Sequence, residues 1–164
     1  MDDERTTGTA PRAGETEWER LDRNLEQLLG ELRVALPGVQ ILFAFLLTVP
    51  FTQAFSTLSD FEHDAYFVVL MTTALATAFL IAPTAIHRIL FRQGMKEQIV
   101  MRSNRLTLIG IALLAVAMCS AVTLIAHIIF GQTAAIVTVI ASGLVFAGLW
   151  FVMPLTDRRL YNGR

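Results

Sequence analysis

The stretch "LTLIGIALLAVAMCSAVTLIAHIIFGQTAAIVTVIASGLVFAGLWFVMPLT" (Leu106–Thr156) decides the fold. It contains no Asp, Glu, Lys or Arg. A transmembrane helix needs about 20 predominantly apolar residues, so this stretch is long enough for two. Near its middle, Gly131, Gln132 and Thr133 are typical of a tight polar turn. We therefore predict a hairpin of two membrane spans, residues 106–130 and 134–153.

Two shorter uncharged stretches precede this hairpin, from Val34 to Ser59 and from Ala65 to Ile86. Each predicts one more span, at residues 37–55 and 65–86. An apolar content of 54% is too high for a soluble chain of 164 residues. The runs also lack the alternation of barrel strands, and a helix pairs its backbone groups within its own segment. The predicted fold class is all-α, an integral membrane four-helix bundle.

The positive charges predict the orientation of these spans. All thirteen Lys and Arg residues lie before the first span, between the second and third, or after the fourth. Positive residues close to span ends are retained in the cytoplasm. We therefore expect a multi-pass protein of the cell membrane with both termini cytoplasmic. We expect no cleavable signal peptide, because the first apolar run follows a long polar segment that opens with acidic residues.

The segment before the first span divides in two. Residues 1–15 carry few large apolar side chains and are predicted to be disordered. Residues 16–36 predict an amphipathic cytoplasmic helix, in which Thr16 and Glu19 fit a capping box. Its leucines recur every three or four residues. The helix could lie on the lipid surface, pair with a second copy or a partner protein, or dock on the cytoplasmic ends of the spans near the basic loop, which we favour.

Pro37 suits the first turn of a new helix, and the residue before a proline is biased away from helix. We therefore predict that the amphipathic helix ends at Leu36 and that the first span begins at Pro37. Residues 156–164 form a short cytoplasmic tail in this scheme.

Few polar residues lie within or beside the spans. Those expected near the cytoplasmic ends form one candidate polar cluster: Gln40, His87, Arg88, Asn104 and Arg105. A hydrogen bond from Gln40 to this cluster would fasten the first span to its neighbours, and the alternative is an amide that reaches lipid headgroups. A second group, Pro50, Pro83 and His127, contains candidate kink or pathway residues. His127 fits an interfacial histidine better than a proton relay, because it lies close to the outer turn.

The sequence shows no constellation that predicts catalysis. No Asp or Glu lies inside a predicted span, and no catalytic, cofactor, metal or nucleic-acid motif appears. We expect a protein that is not an enzyme, has no cofactor and does not bind nucleic acid. Small-residue ridges predict close helix packing, either within the chain or between copies, at Ala74, Ala78 and Ala82 and at Gly143 and Ala147.

Three motifs carry a resemblance to a known family: "ELRV" (Glu31–Val34), "GVQILFAFLL" (Gly38–Leu47) and "HR" (His87 and Arg88). Over residues 19–155 the chain resembles an uncharacterised family of short four-span membrane proteins from actinobacteria. The resemblance implies the four-span fold and no established activity. Automatic labels of some relatives as sodium:proton antiporters imply a transport role.

Two hypotheses of function follow. The first is a non-enzymatic structural or interaction module in the lipid bilayer, with a homo-oligomer or a protein partner engaged through the amphipathic helix. The second is a small oligomeric cation or proton transporter or channel. The two differ in one structural observation, which is whether Gln40, His127 and the proline kinks face a shared polar cavity.

Overall fold

The computed structural model describes Gly14, residues 16–89 and residues 96–162. Within these ranges the structure contains helices and turns and no strand. The predicted disorder of the N-terminal residues therefore falls almost entirely outside the described residues, as does Arg92 of the basic loop. The helices are α1 (Glu17–Thr48), α2 (Asp60–Ile89), α3 (Lys96–Phe130), α4 (Gln132–Ala147) and α5 (Met153–Asn162).

Four helical segments are long and apolar enough to cross a membrane: Glu19–Phe51, Asp60–Ile89, Gln98–Phe130 and Gln132–Asp157. Each contains one predicted span almost in full and extends beyond it at one end or both. The prediction of an all-α, four-span fold is confirmed. We call the end with residues 49–59 and Gly131 the turn end, and the end with the start of α1 and the end of α2 the terminal end.

The predicted break at Pro37 is wrong, because α1 runs through it without interruption. The helix begins where the sequence predicted, since Thr16 and Glu19 form a complete capping box. Pro37 removes the donor that would bond the carbonyl of Arg33. Both residues are exposed and lie on the outward side of α1. The lost hydrogen bond therefore does not disturb the packed side of α1, and the helix continues through Pro37.

One apolar seam explains why α1 is a single helix. Leu25, Leu32, Val39 and Leu46 are all buried and recur every seven residues, on both sides of Pro37. A seven-residue repeat keeps one face of a helix against its neighbours over its whole length. Leu25 packs with Ile99 and Val100 at the terminal end. The leucines of residues 16–36 thus dock on the ends of the other spans, and a separate amphipathic helix is not confirmed.

The helices α2 and α3 pack closely along their length and form the centre of the fold. The small residues at this contact are Ser103, Gly110 and Ala117 on α3, which are buried at seven-residue spacing. A Cβ atom at Gly110 would lie 2.8 Å from the Cγ atom of Leu80. The close approach therefore occurs at Gly110 of α3. Of the predicted ridge on α2, Ala78 is exposed and Ala74 and Ala82 are half-buried, so its role in packing stays a prediction.

The last span lies at the edge of the fold. Helix α4 packs mainly against α3, and Ala135 is its one buried residue. The predicted turn between them is confirmed and is tighter than expected, because Gly131 alone (φ +83°) separates the helices. A π-helical turn (Gly148–Val152) then joins α4 to α5. Pro154 follows this turn. A proline has no backbone N–H to donate to the Trp150 carbonyl, and the wider π-helical turn accommodates the missing hydrogen bond.

Candidate functional site

A cavity of about 350 Å³ lies at the turn end between α2, α3 and α4. Each helix contributes about two turns of its wall. The lining residues are Phe61, Ala65, Val68 and Val69 from α2, Ser120, Thr123, Leu124 and His127 from α3, and Gln132, Ala135 and Val139 from α4. We call it the turn-end pocket. A mainly apolar cavity with a few polar groups is the usual form of a small-molecule site.

The walls of the turn-end pocket are graded from polar to apolar. His127 and Gln132 flank the turn at Gly131 and mark its polar end. The two residues are followed inward by Thr123 and Ala135, about one helical turn deeper. Val69 and Val139 lie at the level farthest from the turn, with Ser120. The pocket therefore offers polar groups near the turn and an apolar surface toward the middle of the bundle.

A charged pair borders the polar end. The Nε2 atom of His127 lies 3.9 Å from the Oε1 atom of Glu62, and the two side chains are 27% and 16% exposed. The ring of Phe61 meets the His127 ring edge to face at 5.9 Å. The pair is ionic only when His127 is protonated. The negative charge of the Glu62 carboxylate therefore lies beside the polar end of the pocket.

The carboxylate of Glu62 is fixed by the start of α2. Its Oε2 atom accepts hydrogen bonds from the Ser59 backbone N–H and hydroxyl, both at 2.8 Å. The Ser59 hydroxyl in turn accepts from the Glu62 backbone N–H at 3.4 Å. This is a second capping box, and the S-x-x-E spacing of "SDFE" is the signal that could have revealed it. The predicted spans ended at residue 55 and resumed at residue 65, so the prediction had placed these residues in the connecting loop.

The polar groups of the pocket have no hydrogen-bond partner in the described chain. Four polar side chains line it, and none of them bonds to a described residue: Ser120, Thr123, His127 and Gln132. Elsewhere in the bundle, Thr72, Thr73, Thr77 and Ser142 each donate to the carbonyl four residues earlier, at 2.7 to 2.8 Å. The hydroxyl of Thr123 is buried as well as unpaired. Two other buried hydroxyls of the described chain are also unpaired, those of Ser103 and Thr107 nearer the start of α3, and Thr123 is the one of the three that lines the pocket.

A hydrogen bond between α1 and α2 lies beside the pocket. Tyr66 is 6% exposed, and its hydroxyl donates to the Leu46 carbonyl at 2.5 Å. Pro50 has no N–H, so it cannot supply the helical donor that this carbonyl would otherwise have. The Val49 N–H also reaches it. The predicted kink at Pro50 is wrong, because α1 ends at Thr48 and Pro50 lies in a 3-10 turn (Val49–Phe51).

Tyr66 also belongs to an aromatic group in the connection between α1 and α2. The edge of its ring meets Phe55 at 5.1 Å, and Phe55 meets His63 in the same way at 4.5 Å. His63 also bonds to the Phe55 carbonyl at 3.0 Å through Nε2. The connection between α1 and α2 is therefore held by a packed aromatic group. Tyr66 and the Leu46 carbonyl are 20 residues apart in the chain, so no local sequence pattern signals this contact.

The candidate polar cluster is divided in the structure: four of its residues lie toward the opposite, terminal end, whereas Gln40 lies nearer the middle of the bundle, next to Val39, which packs with Leu80 and Leu114. Arg88, Asn104 and Arg105 are exposed, and His87 is half-buried with a partner of its own. Gln40 is exposed and bonds to none of the described residues. Val39 occupies the seam, so Gln40, one residue later, points about 100° away from it. The predicted hydrogen bond is not formed among the described residues, and a joint role for the cluster stays a prediction.

The candidate pathway residues do not meet. Pro83 is buried in α2, which continues through it to Ile89. Of Pro50, Pro83, His127 and Gln40, the turn-end pocket contains only His127. Within the described ranges, no group of three His, Cys, Asp or Glu side chains is arranged to hold a metal ion. One polar cavity therefore lies at one end of the bundle, separate from the other predicted polar sites.

Comparison with known proteins gives a family and no activity. The model of a family of unknown function, DUF6328, matches residues 14–154. Searches of curated proteins and of solved structures found no significant match. The family match covers the capped start of α1, all four candidate spans up to the π-helical turn, and the turn-end pocket. On this match the chain, with its four candidate membrane spans, belongs to DUF6328, a family of unknown function.

Proposed function

We propose that the chain is a non-enzymatic interaction module of the cell membrane, with both termini in the cytoplasm. One observation carries this proposal. The polar residues that a conduction path would need lie apart, with His127 in the turn-end pocket and Gln40 and Pro83 outside it. The middle of the bundle is closed by direct helix contact, with Ala76, Leu80 and Ala117 at or below 1% exposure.

A transporter of cations or protons needs ionisable groups at membrane depth that face a cavity. The pair of Glu62 and His127 lies at the turn end of α2 and α3. Between it and the terminal end, the buried polar groups carry no charge: Thr73 uses its hydroxyl inside its own helix, and Ser103 is enclosed at 0% exposure. This arrangement favours a rigid bundle over a gated path.

The bundle leaves two surfaces for contact with other molecules. The apolar seam of α1 is used inside the chain, so a protein partner or a second copy would meet the outward side of the same helix. That side exposes Glu26, Glu31 and Arg33. The bilayer surrounds the apolar surface of α4, where Val137, Leu144 and Val145 are more than half exposed. We place the contact of the module on the α1 surface, in the cytoplasm, where acidic residues are exposed.

Flux measurements separate the two functions. The purified chain is reconstituted in liposomes with a pH-sensitive dye, and a sodium or proton gradient is applied. We expect the same signal as in empty liposomes, because among the described residues Gln40, Pro50 and Pro83 lie outside the pocket that contains His127. A flux above that background that His127→Ala abolishes would establish the transporter and exclude the module.

A charge reversal tests the contact surface. Deleting α1 would remove Leu25 and Leu32 from the core, so the surface must be changed instead. The double variant Glu26→Lys with Glu31→Lys keeps every seam residue. We expect it to lose partners that cross-link to the wild-type chain in membranes, or to lower its oligomeric state, at unchanged thermal stability. An unchanged cross-linking pattern and oligomeric state would contradict the proposed contact.

A further inference from the structure

We propose that the turn-end pocket binds an uncharged lipophilic molecule that carries a carbonyl or hydroxyl group. The proposal is independent of the contact surface on α1. It rests on the shape of the pocket, on the position of its polar groups, and on the charge beside its entrance.

The size of the pocket sets the size of the ligand. Its volume of about 350 Å³ lies at the lower end of the range for small-molecule sites. On α3 the lining runs from Ser120 to His127, which corresponds to about 10 Å along the helix axis. A short acyl chain or a pair of rings fits this length. Val69 and Val139 supply the apolar surface for it.

The polar groups set the position of the ligand's own polar group. His127, Gln132 and Thr123 form no hydrogen bond to the described chain, and all three line the half of the pocket nearest the turn. The covered hydroxyl of Thr123 exchanges places with its methyl group by a rotation about χ1. A carbonyl or hydroxyl oxygen in the pocket would then give this hydroxyl a partner. Ser120 offers a second hydroxyl deeper in the pocket.

The negative charge beside the polar end of the pocket disfavours anionic ligands. Glu62 is held in place by Ser59 and lies 3.9 Å from His127. A free carboxylate on the ligand would be repelled by this fixed carboxylate unless His127 were protonated. A neutral oxygen is accepted in either state of His127. Two sources of this chemistry exist in a membrane: the ester carbonyl of a bilayer lipid, and a free ketone, quinone or alcohol.

Photolabelling with benzophenone tests the proposal, since the probe has two apolar rings and one carbonyl and cross-links where it binds. We expect labelled peptides to map to the pocket residues of α2, α3 and α4 in the full chain in detergent. Excess unlabelled benzophenone should compete, and diphenylmethane, which lacks the carbonyl, should compete less well. Labels spread evenly over the lipid-facing surface of α4 would overturn the proposal.

Two variants make the test specific. Thr123→Val removes the unpaired hydroxyl and keeps the shape, and we expect it to weaken benzophenone binding about two- to twelve-fold, the range for one hydrogen bond. Diphenylmethane binding should not change. Thr77→Val, whose hydroxyl bonds to the Thr73 carbonyl inside α2 and outside the pocket lining, is the matched control. Equal losses in the two variants, or no loss in Thr123→Val, would overturn the role of the polar groups.

A steric variant covers the case in which hydrogen bonding is shared among several groups. Ala65→Leu adds bulk to the wall of the pocket, and we expect it to reduce labelling of the pocket peptides at a melting temperature close to that of the wild type. Unchanged labelling would overturn the site itself.

Reconstitution in two lipids identifies the source of the ligand. Diester and diether phosphatidylcholines differ in the ester carbonyls. If a bilayer lipid is the ligand, benzophenone labelling will be lower in the diester lipid than in the diether lipid. If the ligand is a free lipophile, labelling of the pocket will be equal in both. Absence of pocket labelling in both lipids would contradict the proposal.

Discussion

The bond from Tyr66 to Leu46 gives the sharpest test of how α1 is fastened to the bundle. Tyr66→Phe removes one hydroxyl and keeps the ring that packs on Phe55. A buried hydrogen bond contributes about 0.5 to 1.5 kcal/mol net. Bonds between membrane helices average about 0.6 kcal/mol. The Leu46 carbonyl keeps the Val49 N–H, so we expect a loss of about 0.5 to 1 kcal/mol, in the lower half of the range.

The assay is reversible unfolding in mixed micelles of detergent and dodecyl sulfate, followed by helical circular dichroism. A double-mutant cycle supplies the control. Pro50→Ala restores a backbone N–H close to the Leu46 carbonyl, so Tyr66→Phe should cost less in that background. Two results would refute this reasoning: no change in the free energy of unfolding for Tyr66→Phe, or the same loss in the wild-type and Pro50→Ala backgrounds. Either result would mean that the Leu46 carbonyl, left without its helical donor by Pro50, does not hold the Tyr66 side chain.

Three further predictions concern packing, and the same unfolding assay measures them. Gly110→Ala should destabilise the protein by about 1 to 3 kcal/mol, because its Cβ would meet Leu80. Gly143→Ala, with open space around it, should be neutral or slightly stabilising. Equal effects of the two variants would contradict the close approach of α2 to α3 at Gly110. Leu32→Ala should cost about 2 to 5 kcal/mol and exposed Val34→Ala almost nothing, and a small loss for Leu32 would exclude the continuous seam. Gly131→Ala should cost about 1 to 3 kcal/mol, because its backbone (φ 83°, ψ −173°) lies in a region open essentially only to glycine, and no loss would mean that the turn can adopt another conformation.

The number and placement of the spans could be predicted because charge is excluded from the hydrocarbon core. The tight turn at Gly131 followed from the same uncharged stretch, since a polar interruption marked where the hairpin reverses. The capping box at Thr16 was predicted from local spacing alone. These features depend on residues that are near one another in the sequence, or on the membrane itself.

The error at Pro37 has a physical cause. Local rules treat a proline as a helix break, but they do not include which side of the helix it lies on. In α1 the proline and the Arg33 carbonyl that it frees are on the exposed side, and the buried repeat from Leu25 to Leu46 outweighs the local preference. The seven-residue spacing is visible in the sequence and could have predicted the continuous helix.

The turn-end pocket could not be predicted, because it depends on contacts between distant parts of the chain. Glu62 and His127 are near the ends of different helices, and neither has a neighbour in sequence that indicates the other. Ser120 and Thr123 are ordinary residues in an apolar run. Only the packing of α4 beside α2 and α3 places these side chains around one cavity.

The placement of the two ends of the bundle on opposite sides of the membrane is the central claim, and cysteine accessibility tests it most directly. Cys119 is the only cysteine, so Cys119→Ser gives a clean background. Single cysteines are introduced at exposed positions. Two of these, Ser56 and Thr133, lie at the turn end, and the other two, Glu26 and Asp157, lie at the terminal end. A membrane-impermeant maleimide should label the first pair in intact cells and the second pair only after permeabilisation. Labelling of both pairs in intact cells, or of Glu26→Cys and Asp157→Cys alone, would contradict the account.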